Sequence, residues 1–267
     1  MFTLEVMGGL CNRLRAMAAG IKACEENNET MRVIWNVDKG CKARFEELFI
    51  LDNEKGGRYI ESISASTWKE ELKIRYACRQ PVEKQKMKYH IYTDYRDFIA
   101  LHPKYWDGCI LRTCSNFYGG QIFEWLKPKS NIQCEIDEIV RQYPRNIIGV
   151  HIRRTDNEES ISKSPITAFE GALNKEIAKD IKVKFYIATD DLAVREYFVT
   201  RYGEYILYNK ITNKVTRSTR EGMKEAVIDL YALSNTKKIF GSYWSSFSDC
   251  ASDIGRIPLE IIMQEIR

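Results

Sequence analysis

The sequence predicts an α/β protein built from two doubly wound units that face each other across a cleft, and three observations carry that expectation. The opening segment runs strand, glycine turn, helix, strand, an order that joins parallel strands through a crossover helix. The second half repeats a strict alternation of short β-prone runs and helical stretches, with no internal repeat of fixed period. Between the halves, Pro128 and the polar stretch KPKSN mark a boundary near residues 125–130, giving units 1–127 and 128–267. A chain of 267 residues is long enough for two such domains.

The elements follow in order. FTLEV is a short strand, and Gly8 and Gly9 in MGGLCNRL permit a tight turn before the helical stretch RLRAMAAGIKACEEN. MRVIWNV reads as the second strand and CKARFEELF as a helix, after which residues 52–105 resist parsing, with KYHIYT and GCILRTC as candidate strands. The second half is clearer. NIIGVHI is a strand, SPITAFEGALNKEIA a helix opened by Ser164 and Pro165, VKFYIATDD a strand running into a loop, LAVREYF a helix and EYILY a strand. In REGMKEAVIDLYALS the apolar residues Met223, Val227, Leu230 and Leu233 recur with a helical period. KKIFGS is a strand, and YWSSFSDCASDIG a loop entering a helix.

Composition bounds the function. With 44% hydrophobic and 29% charged residues the chain reads as an ordinary globular protein, and a net charge of +4 from 41 basic and 37 acidic residues is too small and dispersed for a nucleic-acid footprint. A small anionic ligand fits better. Eight cysteines without a C-x-x-C pair, and only three histidines, signal neither zinc nor a dense disulfide framework. The N-terminus lacks the basic and long apolar regions of a secretion signal, and no uncharged run reaches a membrane span. The expected location is the cytoplasm, free or peripheral to a membrane. Neither G-x-G-x-x-G nor a P-loop is spelled anywhere.

Chemistry concentrates where strands end, since ligands of doubly wound sheets bind beyond the carboxyl ends of the strands. HIRRTD closes its strand, and side-chain alternation sends His151 and Arg153 to one face and Ile152 and Arg154 to the other. Arginine is a rigid, permanently charged fork matched to phosphate, so Arg153 is the residue to hold a diphosphate, while Arg154 pairs with a carboxylate such as Asp156; the alternative is that both only form salt bridges. Asp190 and Asp191 either bind base or ribose groups or simply cap the next helix. In SSFSD, Ser246 and Ser248 with the helix N-terminal N–H groups either form an anion site, with Phe247 anchoring the turn, or are ordinary serine caps. Gly8 and Gly9 allow backbone to approach a ligand, with Asn12 and Arg13 as added donors, or form an ordinary turn. Glu225 and Asp229, four apart on one helix face, are partners for Arg153 or Arg154 or solvated. His90, His102 and the acids of TDYRD have structural readings, and no metal site is assigned.

These residues resemble a known group, the superfamily of α1,2-, α1,6- and protein O-fucosyltransferases that use GDP-fucose. The resemblance rests on GGLCNRL, VHIRRTD, FYIATDD and EAVIDLYALSNTKKIFGSYWSSFS, and spans most of the chain in order. It implies a GT-B-type fold of two Rossmann-like domains, with 1–127 on the acceptor side and 128–267 binding the donor. It also implies inverting transfer of fucose from GDP-fucose to a glycan hydroxyl, usually without metal and with no cofactor beyond the donor. Arg153 then contacts the donor phosphate and is the residue activity depends on, His151 and an acid from Asp190 and Asp191 seat the guanosine, the Ser246–Phe247–Ser248 loop touches phosphate, and Asn12 lies near the reacting centre. Cys11 departs from the glycine common in the family, and the chain lacks the stem and accessory regions of the animal Golgi enzymes. The implied relative is a compact bacterial enzyme of polysaccharide or oligosaccharide biosynthesis. A GT-B enzyme using another nucleotide sugar, and a nucleotide-sugar-binding protein without catalysis, are the competing readings.

Overall fold

Strand FTLEV buries four of its five residues, which is possible only if both faces of its sheet are covered. In the computed structural model, which describes residues 1–78, 91–155, 158–210 and 218–264, the strands are β1 (Phe2–Val6), β2 (Met31–Ile34), β3 (Phe49–Leu51), β4 (Ile60–Ser64), β5 (Ile91–Tyr92), β6 (Ile110–Thr113), β7 (Leu126–Pro128), β8 (Ile148–Ile152), β9 (Phe185–Thr189), β10 (Ile206–Tyr208), β11 (Ile239–Ser242) and β12 (Leu259–Ile262). The chain divides into two compact units, Met1–Lys127 and Pro128–Arg267.

In the first unit the parallel sheet runs β4-β2-β1-β6-β5. Helix Leu10–Asn27 crosses over between β1 and β2, burying Leu10, Leu14, Met17 and Ile21 on the i, i+4, i+7 spacing of a core face. It stops at Asn28, whose left-handed φ of 52° is one that asparagine tolerates. The helix starts at Leu10 rather than at Arg13, because Gly9 is already its extended N-cap. CKARFEELF yields only a short helix, Phe45–Leu48, before the chain extends into β3, which pairs with β7 in a two-stranded sheet. The stretch that resists sequence parsing holds β4 and helix Trp68–Cys78. Of KYHIYT, Ile91 and Tyr92 form β5, whereas residues 88–90, His90 included, lie outside the described residues. Asp94 caps helix Tyr95–Ile99, and exposed His102 accepts the Lys104 N–H, so TDYRD and His102 act structurally.

In the second unit the order is β10-β9-β8-β11-β12, again all parallel. Every residue of β8 and β9 is buried. Ile148, Val150, Ile152, Phe185 and Ile187 share one core with Phe169 and Leu173 of helix Ile166–Lys179 and Val194 and Phe198 of helix Leu192–Tyr202. Alternation turns Gly149, His151, Tyr186 and Ala188 to the other face, where helix Arg220–Ser234 packs. Helix Ser130–Val140, absent from the sequence reading, packs beside it, burying Ile132 and Ile136. Each sheet changes direction once, between β1 and β6 and between β8 and β11, and such reversal points are where doubly wound sheets open a crevice.

Loop residue Gly120 presses against helix Leu10–Asn27 so closely that a Cβ there would stand 1.8 Å from the Ala18 carbonyl oxygen. Backbone cannot yield as a side chain does. Gly120→Ala is expected to cost about 3 kcal/mol or more, at the upper end of overpacking effects, and urea unfolding followed by circular dichroism would measure it.

Candidate functional site

At the reversal between β8 and β11 the two strands part, and one hydroxyl continues the ladder past their ends. Buried Ser242 donates its Oγ hydrogen to the His151 carbonyl at 3.3 Å and accepts the Arg153 N–H at 3.0 Å. The chain then turns through Trp244, whose φ of 52° puts a bulky residue in the left-handed region at a cost of about 1–2 kcal/mol. Its indole is 69% exposed. Helix Ser246–Gly255 begins directly after this turn.

The first turn of that helix is built against His151. Ser245 at the N-cap position and Ser248 one turn on share the face toward β8: His151 Nδ1 lies 2.8 Å from Ser248 Oγ and 3.5 Å from Ser245 Oγ. Phe247 stacks on the imidazole with ring centroids 4.7 Å apart. Ser248 is fully buried, so its hydroxyl faces the histidine rather than an external phosphate, a difference from the sequence expectation that follows from its place one helical turn after the cap. Because Ser245 makes no side-chain cap bond, the first-turn N–H groups keep the partial positive charge that attracts anions. Ser246 and Phe247 are half-buried at that end.

Arg153 is half-buried at the carboxyl end of β8, its backbone fixed by Ser242. Arg154 takes a structural path. Its guanidinium donates to the carbonyls of Ser164 at 2.7 Å and Arg153 at 3.4 Å, and burial pulls its pKa down against the opposing charges of Asp190 and Asp191. Asp156, the carboxylate suggested for it, lies outside the described residues. Asp190 accepts the Arg154 N–H at 2.7 Å, and the Thr155 hydroxyl and N–H at 2.7 and 3.2 Å, so it ties the end of β9 to the loop after β8. Asp191 accepts from Ala193 N and Val194 N as the N-cap of helix Leu192–Tyr202. Of the two readings open for these acids, their bonds match the structural one.

Helix Arg220–Ser234 brings acid to the same face as His151. Glu225 and Asp229 are neither solvated nor paired with Arg153 or Arg154, because their side of the helix lies inside the unit. Asp229 accepts a 2.6 Å bond from Tyr186 of β9. One turn nearer the carboxyl ends of the strands, Glu225 is 3% exposed and neither of its oxygens has a hydrogen-bond partner. Burial raises both: Asp229 to about 7, with the Tyr186 bond and Arg195 opposing and the Glu225 charge adding to it, and Glu225 in the same direction, with Arg195 opposing and Glu221 and Glu135 adding to it.

In the first unit, Gly8 has φ 79°, a conformation that needs glycine, and Asn12 packs over it, 3.1 Å from where a Cβ would stand. Gly9 is the helix N-cap. Arg13 is not a ligand donor at the surface. Completely buried, it donates to the carbonyls of Gly8 and Asn36 and to Asp38 at 2.7 Å, and lies over the Trp35 ring. Its role is to fasten the glycine turn to the loop after β2. Sequence reading missed Glu5 of β1, a buried carboxylate facing Arg112 of β6 at 3.3 Å and accepting from Asn36 at 3.3 Å; burial raises its pKa despite Arg112. The acid within FTLEV was the available signal. Among the described residues no cluster of three or more His, Cys, Asp or Glu is placed to hold a metal, and no helix is long and apolar enough to cross a membrane. Cys11, Cys24, Cys41, Cys109, Cys114, Cys134 and Cys250 are free thiols.

The chain has the parallel-sheet α/β architecture of GT-B-type proteins, and fucosyltransferases are among the known structures that superpose on it. The α1,6-fucosyltransferase NodZ of Bradyrhizobium, soaked with GDP-fucose, superposes with a TM-score of 0.65 at 17% identity, over 95% of this chain and 92% of NodZ. POFUT1 in complex with GDP gives 0.55 at 12% identity, over 97% and 96%. A mutant of Arabidopsis thaliana FUT1 in complex with GDP gives 0.62 at 14% identity, over 97% of this chain and 69% of the other. In sequence, 64 residues, 23% of the chain, are 33% identical to nodulation protein Z of Bradyrhizobium diazoefficiens, a match that spans 17% of that protein. No family model matches the chain.

Asp229 gives the site a pH signature. In the unfolded chain its carboxyl ionises near its ordinary value of 3.8, whereas the native protein retains the proton to about pH 7. The Asp229 contribution to native stability is therefore fully present below pH 4 and is lost as pH rises through 4–7, by about 4 kcal/mol on the order-of-magnitude linkage of 1.36 kcal/mol per pH unit. Asp229→Asn cannot ionise, so its melting temperature is expected to gain on that of the wild type between pH 5 and 7.5; parallel curves would show that Asp229 titrates normally.

Proposed function

We propose that the chain is an inverting fucosyltransferase that transfers fucose from GDP-fucose to a hydroxyl of a glycan acceptor. The observation that carries the reading is the grouping at the β8–β11 reversal: Arg153, His151 held by Ser245, Ser248 and Phe247, and an uncapped helix N-terminus. The likeness to fucosyltransferase structures with GDP-fucose or GDP supports the choice of donor. In this reading Pro128–Arg267 binds the donor and Met1–Lys127 serves the acceptor, a polysaccharide or oligosaccharide, in the cytoplasm.

The acceptor oxygen bonds to the anomeric carbon as the bond from that carbon to the β-phosphate oxygen breaks, and the hydroxyl proton is lost. Attack from the side opposite the leaving diphosphate inverts the anomeric configuration. Negative charge grows on the β-phosphate, so a fixed guanidinium from Arg153 and the N–H groups of residues 246–248 stabilise the transition state more than the ground state. These donors answer the diphosphate charge without a metal. Ser242 and Ser248 are positioning residues, fixing the Arg153 backbone and the His151 ring.

Guanine presents two adjacent N–H groups on one edge, which a carboxylate accepts side by side; uracil offers a single N–H between two carbonyls. With Asp190 and Asp191 bonded to backbone and Asp229 to Tyr186, the acid we assign to that edge is Glu225. Calorimetry is expected to give at least about tenfold tighter binding of GDP than of UDP, a difference of about 1.4 kcal/mol. Equal affinities would remove the guanosine assignment and favour another nucleotide sugar.

The two arginines separate catalysis from architecture. Arg153→Lys keeps charge but loses the planar fork, and is expected to lower turnover about a hundredfold or more, as loss of an oxyanion-stabilising donor does. Arg154→Lys is expected to act mainly on stability, by about 1–3 kcal/mol, through the weakened bond to Ser164. Donor hydrolysis and transfer assays with melting curves on both variants check this. A well-folded, inactive Arg154→Lys beside an active Arg153→Lys would reverse the roles, and inactivity of the wild type toward every fucose acceptor and water would favour a binding protein.

A further inference from the structure

We propose that helix Trp68–Cys78 is an interfacial anchor that seats the protein on an anionic phospholipid surface. The helix is firmly started: Thr67 Oγ accepts the Glu70 N–H at 3.3 Å while Glu70 accepts the Thr67 N–H at 2.7 Å, a reciprocal capping box. One side is held by the unit. Ile74 is 3% exposed and clusters with Ile91 of β5, and Glu70 forms a 2.7 Å ion pair with Arg32 of β2.

The opposite side presents Trp68, Leu72 and Tyr76, 67%, 57% and 52% exposed, at i, i+4 and i+8. At about 100° per residue these three side chains fill an arc of about 80°, centred away from Ile74. Lys69 and Lys73 border the arc on one side, with Lys69 Nζ 5.6 Å from the Trp68 ring centroid. Arg75 borders the other side, 3.4 Å from Glu71. The acids are thus engaged, Glu70 inward with Arg32 and Glu71 with Arg75. A protein partner would take an apolar stripe of either charge surround. An aromatic-aliphatic stripe flanked by long cationic side chains, with Trp and Tyr as its ends, is the pattern that fits the boundary between phospholipid head groups and acyl chains. The cations select an anionic surface. This inference stands on the first unit alone and is independent of the donor chemistry.

The test is co-sedimentation of the full chain with vesicles of phosphatidylcholine alone, and with about a third phosphatidylglycerol. The wild type is expected to pellet with the anionic vesicles, to pellet far less with the zwitterionic ones, and to be released partly by about 0.5 M salt, which screens the lysines but not the stripe. Trp68→Ser combined with Leu72→Ser should lower the partition at least about tenfold. Lys69→Glu combined with Lys73→Glu, which changes only exposed positions, should erase the preference for anionic lipid. Melting curves confirm that each variant is folded. A wild type that stays in the supernatant with anionic vesicles, or folded variants that bind as it does, overturns the proposal. So does a wild-type dimer that the serine variant converts to monomer without any vesicle binding, since the stripe would then join two copies.

Discussion

The hydroxyl of Ser242 is the point on which the geometry of the second unit depends. Parallel strands on either side of a topological reversal diverge, and their last backbone groups have no strand partner. Ser242 supplies both missing bonds, accepting from Arg153 N and donating to the His151 carbonyl. The backbone between a buried histidine and a half-buried arginine is therefore rigid although it lies past the end of β8. Asp190 across the sheet and the Arg154 bond to the Ser164 carbonyl tie the loop after β8 further along.

Taken unit by unit, the candidate side chains fall into two populations. Arg13, Arg154, Asp190, Asp191 and Ser248 spend their polar atoms within the protein, and each fixes a loop or ring. In the proposed function, Arg153, the amides at the start of helix Ser246–Gly255 and Glu225 are the groups that meet the nucleotide sugar. On that proposal the site is prepared in advance: dipoles and charges aimed at a diphosphate are most effective when they need no rearrangement as the reaction proceeds.

The alternation of strands and helices was legible wherever a strand is buried on both faces, because β8 and β9 are then apolar runs that stand out from the helical periods beside them. It was illegible at β4, an edge strand with mostly exposed residues, and at helix Trp68–Cys78, where Trp68, Leu72 and Tyr76 lie on the solvent side opposite buried Ile74 and blur the period. For the site, strand ends located the right loops, but side-chain roles needed coordinates. Nothing in the letters separates Ser246 from Ser248; a rotation of two residues along a helix sends one hydroxyl to the rim and the other against His151. Likewise Glu225 and Asp229 sit on a helix whose period is clear, and only the packing of both its sides shows that these acids are inside.

Asp191 and Thr219 cap helices Leu192–Tyr202 and Arg220–Ser234 with their side chains, whereas helix Ser246–Gly255, which also follows a polar residue, has no such cap. Asp191 closes helix Leu192–Tyr202, while Ser245 spends its hydroxyl beside His151 and leaves helix Ser246–Gly255 open. An absent cap forgoes about 1 kcal/mol of folding stability, and an anion settling on the open amides restores it. If the nucleotide of the proposed function binds there, stability and occupancy are linked by mass action, and resistance to unfolding and to proteases would rise and fall with the supply of that ligand. Abundance in a cell would come to follow substrate availability with no dedicated regulator, as a by-product of one serine facing inward.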